Sequence, residues 1–229
     1  MSAEVKPTRR EERRAQTVAE IKHLAMEQVS LGGPDAVSLS GIVREMSMSP
    51  AAVYRYFANR DALLADLVVD AYNELADALA SVPKSRSTQA HLDAVLRGTR
   101  AWALENPNSY RLIFQTTIGS GQDFAADRTI PASSRSMAVI IEALAAVANG
   151  TNAAPLTPGI AEAMTAWRER TGIEGYSAEL LALGFLSWTR LHGIISLELG
   201  GHLAATGIGA QVLFDAEVES IRAQAALLP

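Results

Sequence analysis

The sequence predicts an all-α protein, with a small N-terminal helical domain followed by a larger helical body. Three observations predict it. Apolar residues recur at spacings of three and four, as in Val18, Ile21, Ala25 and Val29, which is the period of one helix face. No stretch shows the apolar–polar alternation of a half-buried strand. The turn-forming clusters Gly32-Gly33-Pro34, Asn149-Gly150 and Pro155–Gly159 fall between the periodic stretches. At 229 residues the chain can bury roughly 70% of its unfolded surface in one or two domains.

Residues 1–10 are polar, contain Pro7 and lack periodicity, so they read as disordered. A helix is expected from about Glu11 to Leu31, stopped by Gly32-Gly33-Pro34. Ser38 can cap the next helix, which carries Leu39, Ile42, Val43 and Met46 as one apolar stripe. Ser47-Met48 makes a bend. Ser49 then caps another short helix, with Pro50 at its first position, where a missing N–H costs nothing. Asn59 opens a long helix to about Ala80, with Leu63, Leu64, Leu67, Val68, Ala71, Tyr72 and Leu75 on its apolar face. Such a rod spans roughly 30 Å.

Residues 81–88 read as a linker. Helices follow over Gln89–Asn106 and Asn108–Thr117, then a loop over Gly119–Asp127 and a helix over Ser134–Ala148. After the polar stretch TNAAPLTPG a helix runs through Met164 and Trp167 to about Thr171. In the last two helices, Ser177–Leu199 and Ala210–Leu228, the large apolar residues recur in heptad-like steps. The first set is Phe185, Trp188, His192, Ile195 and Leu199; the second is Phe214, Val218, Ile221, Ala225 and Leu228. These stripes suit a helical pair packed against its own copy, the alternative being that they face their own core.

Residues Ser38–Arg60 carry the chemistry. Val53 and Phe57 point inward four residues apart, which leaves Ala51, Ala52, Tyr54, Arg55 and Tyr56 outside. This is the layout of a helix-turn-helix reader of DNA. Small alanines let the helix lie deep in a major groove and touch thymine methyls. The Tyr54 and Tyr56 hydroxyls can bond phosphates, and Ser38, Ser40 and Ser49 offer short polar groups near helix N-termini. Arg60 follows the cap Asn59, so its cation sits at the positive end of a helix, disfavoured by roughly 0.3–1 kcal/mol. A phosphate between them would reverse that sign.

The segment SPAAVYRYFANRDALL resembles the second reading helix and following turn of the TetR-type transcriptional repressors, and the resemblance extends from about residue 12 to about residue 75. It implies that Ser49, Tyr54, Tyr56 and Arg60 contact phosphates, with Pro50 and Ala51 near the bases. Four positions depart from the family pattern. Ser47 replaces a usual glycine, Val43 a usual alanine, Tyr56 the commoner histidine, and Ser40 an arginine that in many members reads guanine. The segment WTRLHG at Trp188–Gly193 resembles the tryptophan-histidine-glycine signature of one subgroup of TetR-type C-terminal domains. The resemblance also implies dimerisation through the last two long helices as a four-helix bundle.

Residues 1–60 hold nine Lys/Arg against seven Asp/Glu, and residues 61–229 eleven against eighteen. The positive share therefore lies with the helix-turn-helix and leaves an acidic body. Arg9, Arg10, Arg13 and Arg14 cluster around the start of the first helix, either as a solvated helix start or as an arm along phosphates. The absence of cysteine excludes disulfides and thiolate metal sites and fits a reducing cytoplasm. No apolar signal region opens the chain, and the longest near-apolar run, Leu180–Thr189, is shorter than a membrane span, so a soluble cytoplasmic protein is expected. The four histidines are scattered, and no nucleophile elbow, phosphate-cradling glycine loop or zinc-protease motif is present. No enzyme, cofactor or metal site is expected.

The expectation is thus a homodimeric regulator, a repressor, with a helix-turn-helix domain over 1–60 and a ligand-binding and dimerisation domain over 61–229. Double-stranded DNA bearing a palindromic operator and an apolar small-molecule effector are its expected partners. The effector pocket is expected among Trp102, Tyr110, Phe114, Met137, Ile141 and Trp167. The dimer interface is expected at Phe185, Trp188, His192, Ile195, Phe214, Val218 and Ile221. A rival reading is a helical ligand- or partner-binding dimer whose helix-turn-helix is only structural, motivated by Ser40, Val43, Ser47 and the small positive excess.

Overall fold

The computed structural model describes residues 8–114, 126–152 and 155–229. Among these the helices are α1 (Arg9–Gly32), α2 (Leu39–Glu45), α3 (Pro50–Val53), α4 (Arg60–Ala80), α5 (Thr88–Glu105), α6 (Pro107–Phe114), α7 (Ala126–Ala145), α8 (Pro158–Thr171), α9 (Ala178–Leu199) and α10 (Ala210–Leu227). Single 3-10 turns occur at Pro34–Ala36 and Ala204–Thr206, and no strand occurs among the described residues. The fold is all-α, as predicted. The expected disorder of residues 1–7, the helix end beyond Phe114 and most of the loop from Gly119 lie outside the described residues, as do residues 153 and 154 of the second polar loop.

The chain forms two compact units, residues 1–70 with 108–125 and residues 71–107 with 126–229. The sequence suggested a boundary after residue 60. The observed division falls inside α4, because that helix runs without interruption from Arg60 to Ala80.

In the N-terminal unit, α1 starts earlier than the expected Glu11. Thr8 and Glu11 form a reciprocal capping box, with the Thr8 N–H donating to Glu11 Oε2 at 2.7 Å. Ile21, Ala25 and Val29 of α1 are buried, as are Leu39, Ile42 and Val43 of α2, Val53 and Phe57. Regular α3 stops at Val53. The Tyr56 N–H donates back to the Val53 carbonyl at 2.9 Å, so the chain leaves α3 in tightened turns. Ser47, at the bend, has φ of 51°. This is the left-handed region, and it explains why the resembling family uses glycine at this position. Lys22 ties α1 to α4 through Asp66 at 3.2 Å and Asp70 at 2.7 Å, with its side chain 19% exposed.

In the C-terminal unit α9 and α10 pack together, and α5, α7 and α8 pack on α9. α7 begins at Ala126 rather than the expected Ser134 and runs through Pro131. Pro131 sits in the second turn, where its missing N–H forfeits a single bond. α9 is long and apolar enough to cross a membrane by length and composition, with 22 residues and a mean hydropathy of 1.4. Packing accounts for one face of it, since Leu180–Gly184, Ser187, Leu191 and Ile195 are all buried. Two close approaches depend on glycine. A Cβ at Gly184 would stand 3.0 Å from Ile141 Cγ1 of α7, and one at Gly150 would stand 2.5 Å from the Leu227 carbonyl oxygen. The Gly150 N–H donates to the Leu228 carbonyl at 2.7 Å, which docks the end of α10.

Candidate nucleic-acid interface and ligand cavity

The exposed edge of the helix-turn-helix is built on two buried side chains. Val53 is fully buried and Phe57 nearly so, and this footing turns Ser49, Pro50, Ala51, Tyr54 and Arg55 to solvent. Ala52 and Tyr56 are half-buried. Tyr54 is 55% exposed, a large value for an aromatic ring. Ser49 stands at the N-cap of α3 but makes no side-chain capping bond, contrary to expectation, so its hydroxyl is turned to the outside. Ser38 does cap α2: its oxygen accepts from the Gly41 N–H at 3.2 Å and lies 2.9 Å from the Ser40 hydroxyl.

Arg60 is held from within the N-terminal unit. Its Nε donates to the Val37 carbonyl at 3.1 Å and its Nη2 to the Pro34 carbonyl at 2.7 Å, with Asp35 Oδ1 at 3.2 Å. The unfavourable placement at the helix N-terminus is offset by carbonyl dipoles and by the Asp35 and Asp61 carboxylates. Asn59 caps the helix as expected, its Oδ1 accepting from the Ala62 N–H at 2.8 Å. Arg60 is thus a brace between α4 and the turn that leads into α2.

The basic cluster at the start of α1 faces a groove of about 1020 Å³ lined by Arg9, Arg10, Arg13, Arg14, Arg55 and Tyr56, among others. The Arg14 guanidinium lies over the Tyr56 ring, 5.1 Å from its centroid. This cation–π contact joins α1 to the end of the reading segment.

The C-terminal unit holds a cavity of about 180 Å³ lined by Tyr72, Ser133, Ser134, Ser136, Met137, Trp167, Thr171, Phe185 and Trp188. Two of the six expected pocket residues, Met137 and Trp167, line it. Trp102 and Ile141 are instead buried side chains of α5 and α7, and Tyr110 and Phe114 belong to the N-terminal unit, their rings 5.0 Å apart. Trp167 meets Phe185 edge-on at 5.9 Å, Phe185 lies 5.4 Å from Trp188, and Trp188 meets His192 edge-on at 5.3 Å. Burial pushes the His192 imidazole down to about 4, so it is neutral at pH 7.

The expected dimer stripes lie largely inside the single chain. Phe214, Val218, Ile221 and Ile195 are fully or almost fully buried within the single chain. Phe185 and Trp188 form cavity wall, with His192 stacked behind. The outward faces of the same helices carry Leu186, Gly193 and Leu197 on α9 and Val212, Ala216, Ala223 and Leu227 on α10. These also fall in heptad-like steps, with gaps, so periodicity alone does not tell the two faces apart. The serine run Ser133–Ser136, unusual on a helix whose other face is apolar, was the available signal for the polar side of the cavity.

Comparisons with known proteins agree with this layout. Residues 21–67 match the family of bacterial regulatory proteins of the tetR type, and residues 92–221 match the tetracyclin repressor-like C-terminal domain. The chain is 32% identical over 218 residues to HTH-type transcriptional regulator Rv1816 of Mycobacterium tuberculosis, covering 91% of this chain and 92% of that protein. The figures for regulator Mb1846 of Mycobacterium bovis are the same. The solved structure of SCO4313, named as a regulatory protein, superposes with a TM-score of 0.76 at 35% identity, covering 94% of this chain and 98% of that one. The TetR-family regulator PfmR of Thermus thermophilus shares the fold, with a TM-score of 0.55 at 15% identity over 88% of this chain and 96% of that one. A helix-turn-helix with an exposed reading edge, joined to a helical C-terminal unit and matched along nearly the whole chain, places this protein in the TetR family of transcriptional regulators, a class without enzymatic activity.

Proposed function

We propose that this regulator is a cytoplasmic homodimeric repressor that binds a palindromic operator and is released when a small molecule enters the C-terminal cavity. The observation that carries the DNA-binding part is the exposed edge Ser49, Pro50, Ala51, Tyr54 and Arg55 held up by buried Val53 and Phe57. Base edges are met by Pro50, Ala51, Ala52 and Tyr54, and phosphates by Ser49, Arg55, Tyr56 and the hydroxyl pair Ser38–Ser40. Dimerisation uses the outward face of α9 and α10, where Leu197 is 46% and Val212 68% exposed. Apolar and small residues in heptad-like order suit a four-helix bundle between two copies. Such a dimer presents two reading edges about one DNA turn, roughly 34–36 Å, apart. The WTRLHG segment supports a place in the tryptophan-histidine-glycine subgroup.

α4 is the route for release. It begins at Arg60, latched to the Pro34 and Val37 carbonyls, and carries Tyr72 in the cavity wall about three turns further on. A ligand that favours a shifted α4 by a few kcal/mol weakens operator binding 10- to 100-fold or more. The test is fluorescence anisotropy with DNA from upstream of the protein's own coding region, across a salt series. Tyr54→Phe and Tyr56→Ala are expected to weaken binding at least tenfold. Unchanged affinity in both variants, or no salt-dependent binding by the parent protein, sinks the assignment in favour of a structural helix-turn-helix.

A further inference from the structure

The chemistry of the cavity wall is more selective than its size alone. Its volume of about 180 Å³ is small for a ligand site, since drug-sized pockets run to about 300–1,000 Å³. A dry apolar cavity of about 150 Å³ is sufficient for benzene. The site is half-open to solvent, and its enclosed part has room for one aromatic ring or two fused rings. One side of the wall is aromatic: Trp167, Phe185 and Trp188 stand in tilted and edge-on contact with one another, an arrangement that favours a flat π-system between them.

The other side carries aliphatic hydroxyls whose hydrogens are already committed. Ser133 and Ser134 both donate to the Ile130 carbonyl, at 3.0 and 2.7 Å, Ser136 to the Ser133 carbonyl at 2.9 Å, and Thr171 to the Trp167 carbonyl at 2.9 Å. What these four oxygens offer a guest is lone pairs, so the guest must donate. The Trp167 indole N–H supplies a donor in the wall. A hydroxyl on an aromatic ring matches both kinds of partner, because it donates and accepts at one atom. Among the described residues, no Lys, Arg, Asp, Glu or His lines the cavity. A carboxylate would find no cation there and an ammonium no anion, and burying either charge without its partner is strongly unfavourable.

We infer that the cavity between α4, α7, α8 and α9 binds an uncharged hydroxyarene, a phenol or naphthol with small apolar substituents, and excludes arenes that carry a formal charge. This rests on the reading of the C-terminal unit as the effector-binding part, and it names the effector's class. The neutral His192 behind Trp188 adds no charge to that wall at pH 7.

The experiment uses the full-length protein without DNA. Quenching of tryptophan fluorescence and isothermal calorimetry are followed with 4-ethylphenol and 2-naphthol, and with naphthalene, benzoate and benzyltrimethylammonium for comparison. Saturable binding of the hydroxyarenes is expected, at least tenfold tighter than that of either charged probe. Thr171→Val, which keeps the side-chain shape and removes the hydroxyl, is expected to weaken 2-naphthol about tenfold and leave naphthalene unchanged. Phe185→Leu should weaken both, with the fold checked by circular dichroism. Equal or tighter binding of benzoate or the quaternary amine, or no saturable binding of any hydroxyarene at millimolar concentration, overturns the inference. Operator binding is assayed separately. Hydroxyarene binding with no effect on DNA affinity would leave this site standing and remove only the proposed release. Tyr54-dependent DNA binding without hydroxyarene binding would do the reverse.

Discussion

The two units use arginine in opposite ways. In the C-terminal unit Arg97, Arg100, Arg135, Arg190 and Arg222 each pair with a carboxylate of another helix. The Arg100–Glu198 pair is bidentate, at 2.7 and 2.5 Å, and both side chains are at most 20% exposed. In the N-terminal unit Arg9, Arg10, Arg13 and Arg55 surround one open groove and are exposed. The same side chain is a scaffold element where a carboxylate from another helix reaches it, and an interaction surface where none does. Arg60, inside the N-terminal unit, departs from the groove arginines because its guanidinium is held by backbone carbonyls.

The comparison can be broken most forcefully at Arg100. Arg100→Ala leaves Glu198 partly buried without its cation, and a loss of about 2–4 kcal/mol in urea-unfolding stability is expected. A loss under about 0.5 kcal/mol would show that these pairs are ornaments of the surface.

The neutral His192 gives the second effect. Its folded pKa of about 4 lies below the unfolded value of about 6.5. Between those values the unfolded chain binds the extra proton, so its contribution is complete above pH 6.5 and is lost as pH falls towards 4, by about 3 kcal/mol at most. His192→Gln should flatten the stability–pH profile across that window, which unfolding curves at stepped pH will check.

The third test sharpens the comparison within one unit. Arg10→Ala with Arg13→Ala is expected to reduce the slope of log affinity against log salt by about 0.9 for each phosphate contact removed, with stability unchanged. Arg60→Ala is expected to do the opposite, costing about 1–2 kcal/mol of stability through three lost hydrogen bonds while leaving the slope alone. Identical behaviour of the two variants would erase the distinction between brace and surface.

The smallest effect is at the bend. Ser47→Gly relieves a side chain at φ of 51° and should stabilise the protein by about 0.5–1 kcal/mol, readable as a rise in thermal midpoint.

Much of the helix-turn-helix was legible in the sequence because its determinants are local. Ser38 caps a helix three residues on, Asn59 does the same, and Val53 and Phe57 are one turn apart. Arg60 was not legible in the same way, since the carbonyls that hold it lie at Pro34 and Val37. The cavity was half-legible. Met137 and Trp167 were named from their type, but its walls come from α4, α7, α8 and α9 together, and no spacing along one helix reports that.

The order of helices, their caps and stops, the all-α class and the reading edge follow from the sequence by itself, because backbone bonding in a helix reaches only four residues. Which face of α9 and α10 is core, which aromatic residues surround a void, and whether an arginine serves as brace or surface depend on what stands opposite. Two faces of one helix can each carry apolar residues in heptad-like steps, as Phe214–Val218–Ile221 and Val212–Ala216–Ala223 do. Only packing in three dimensions decides which of them is buried.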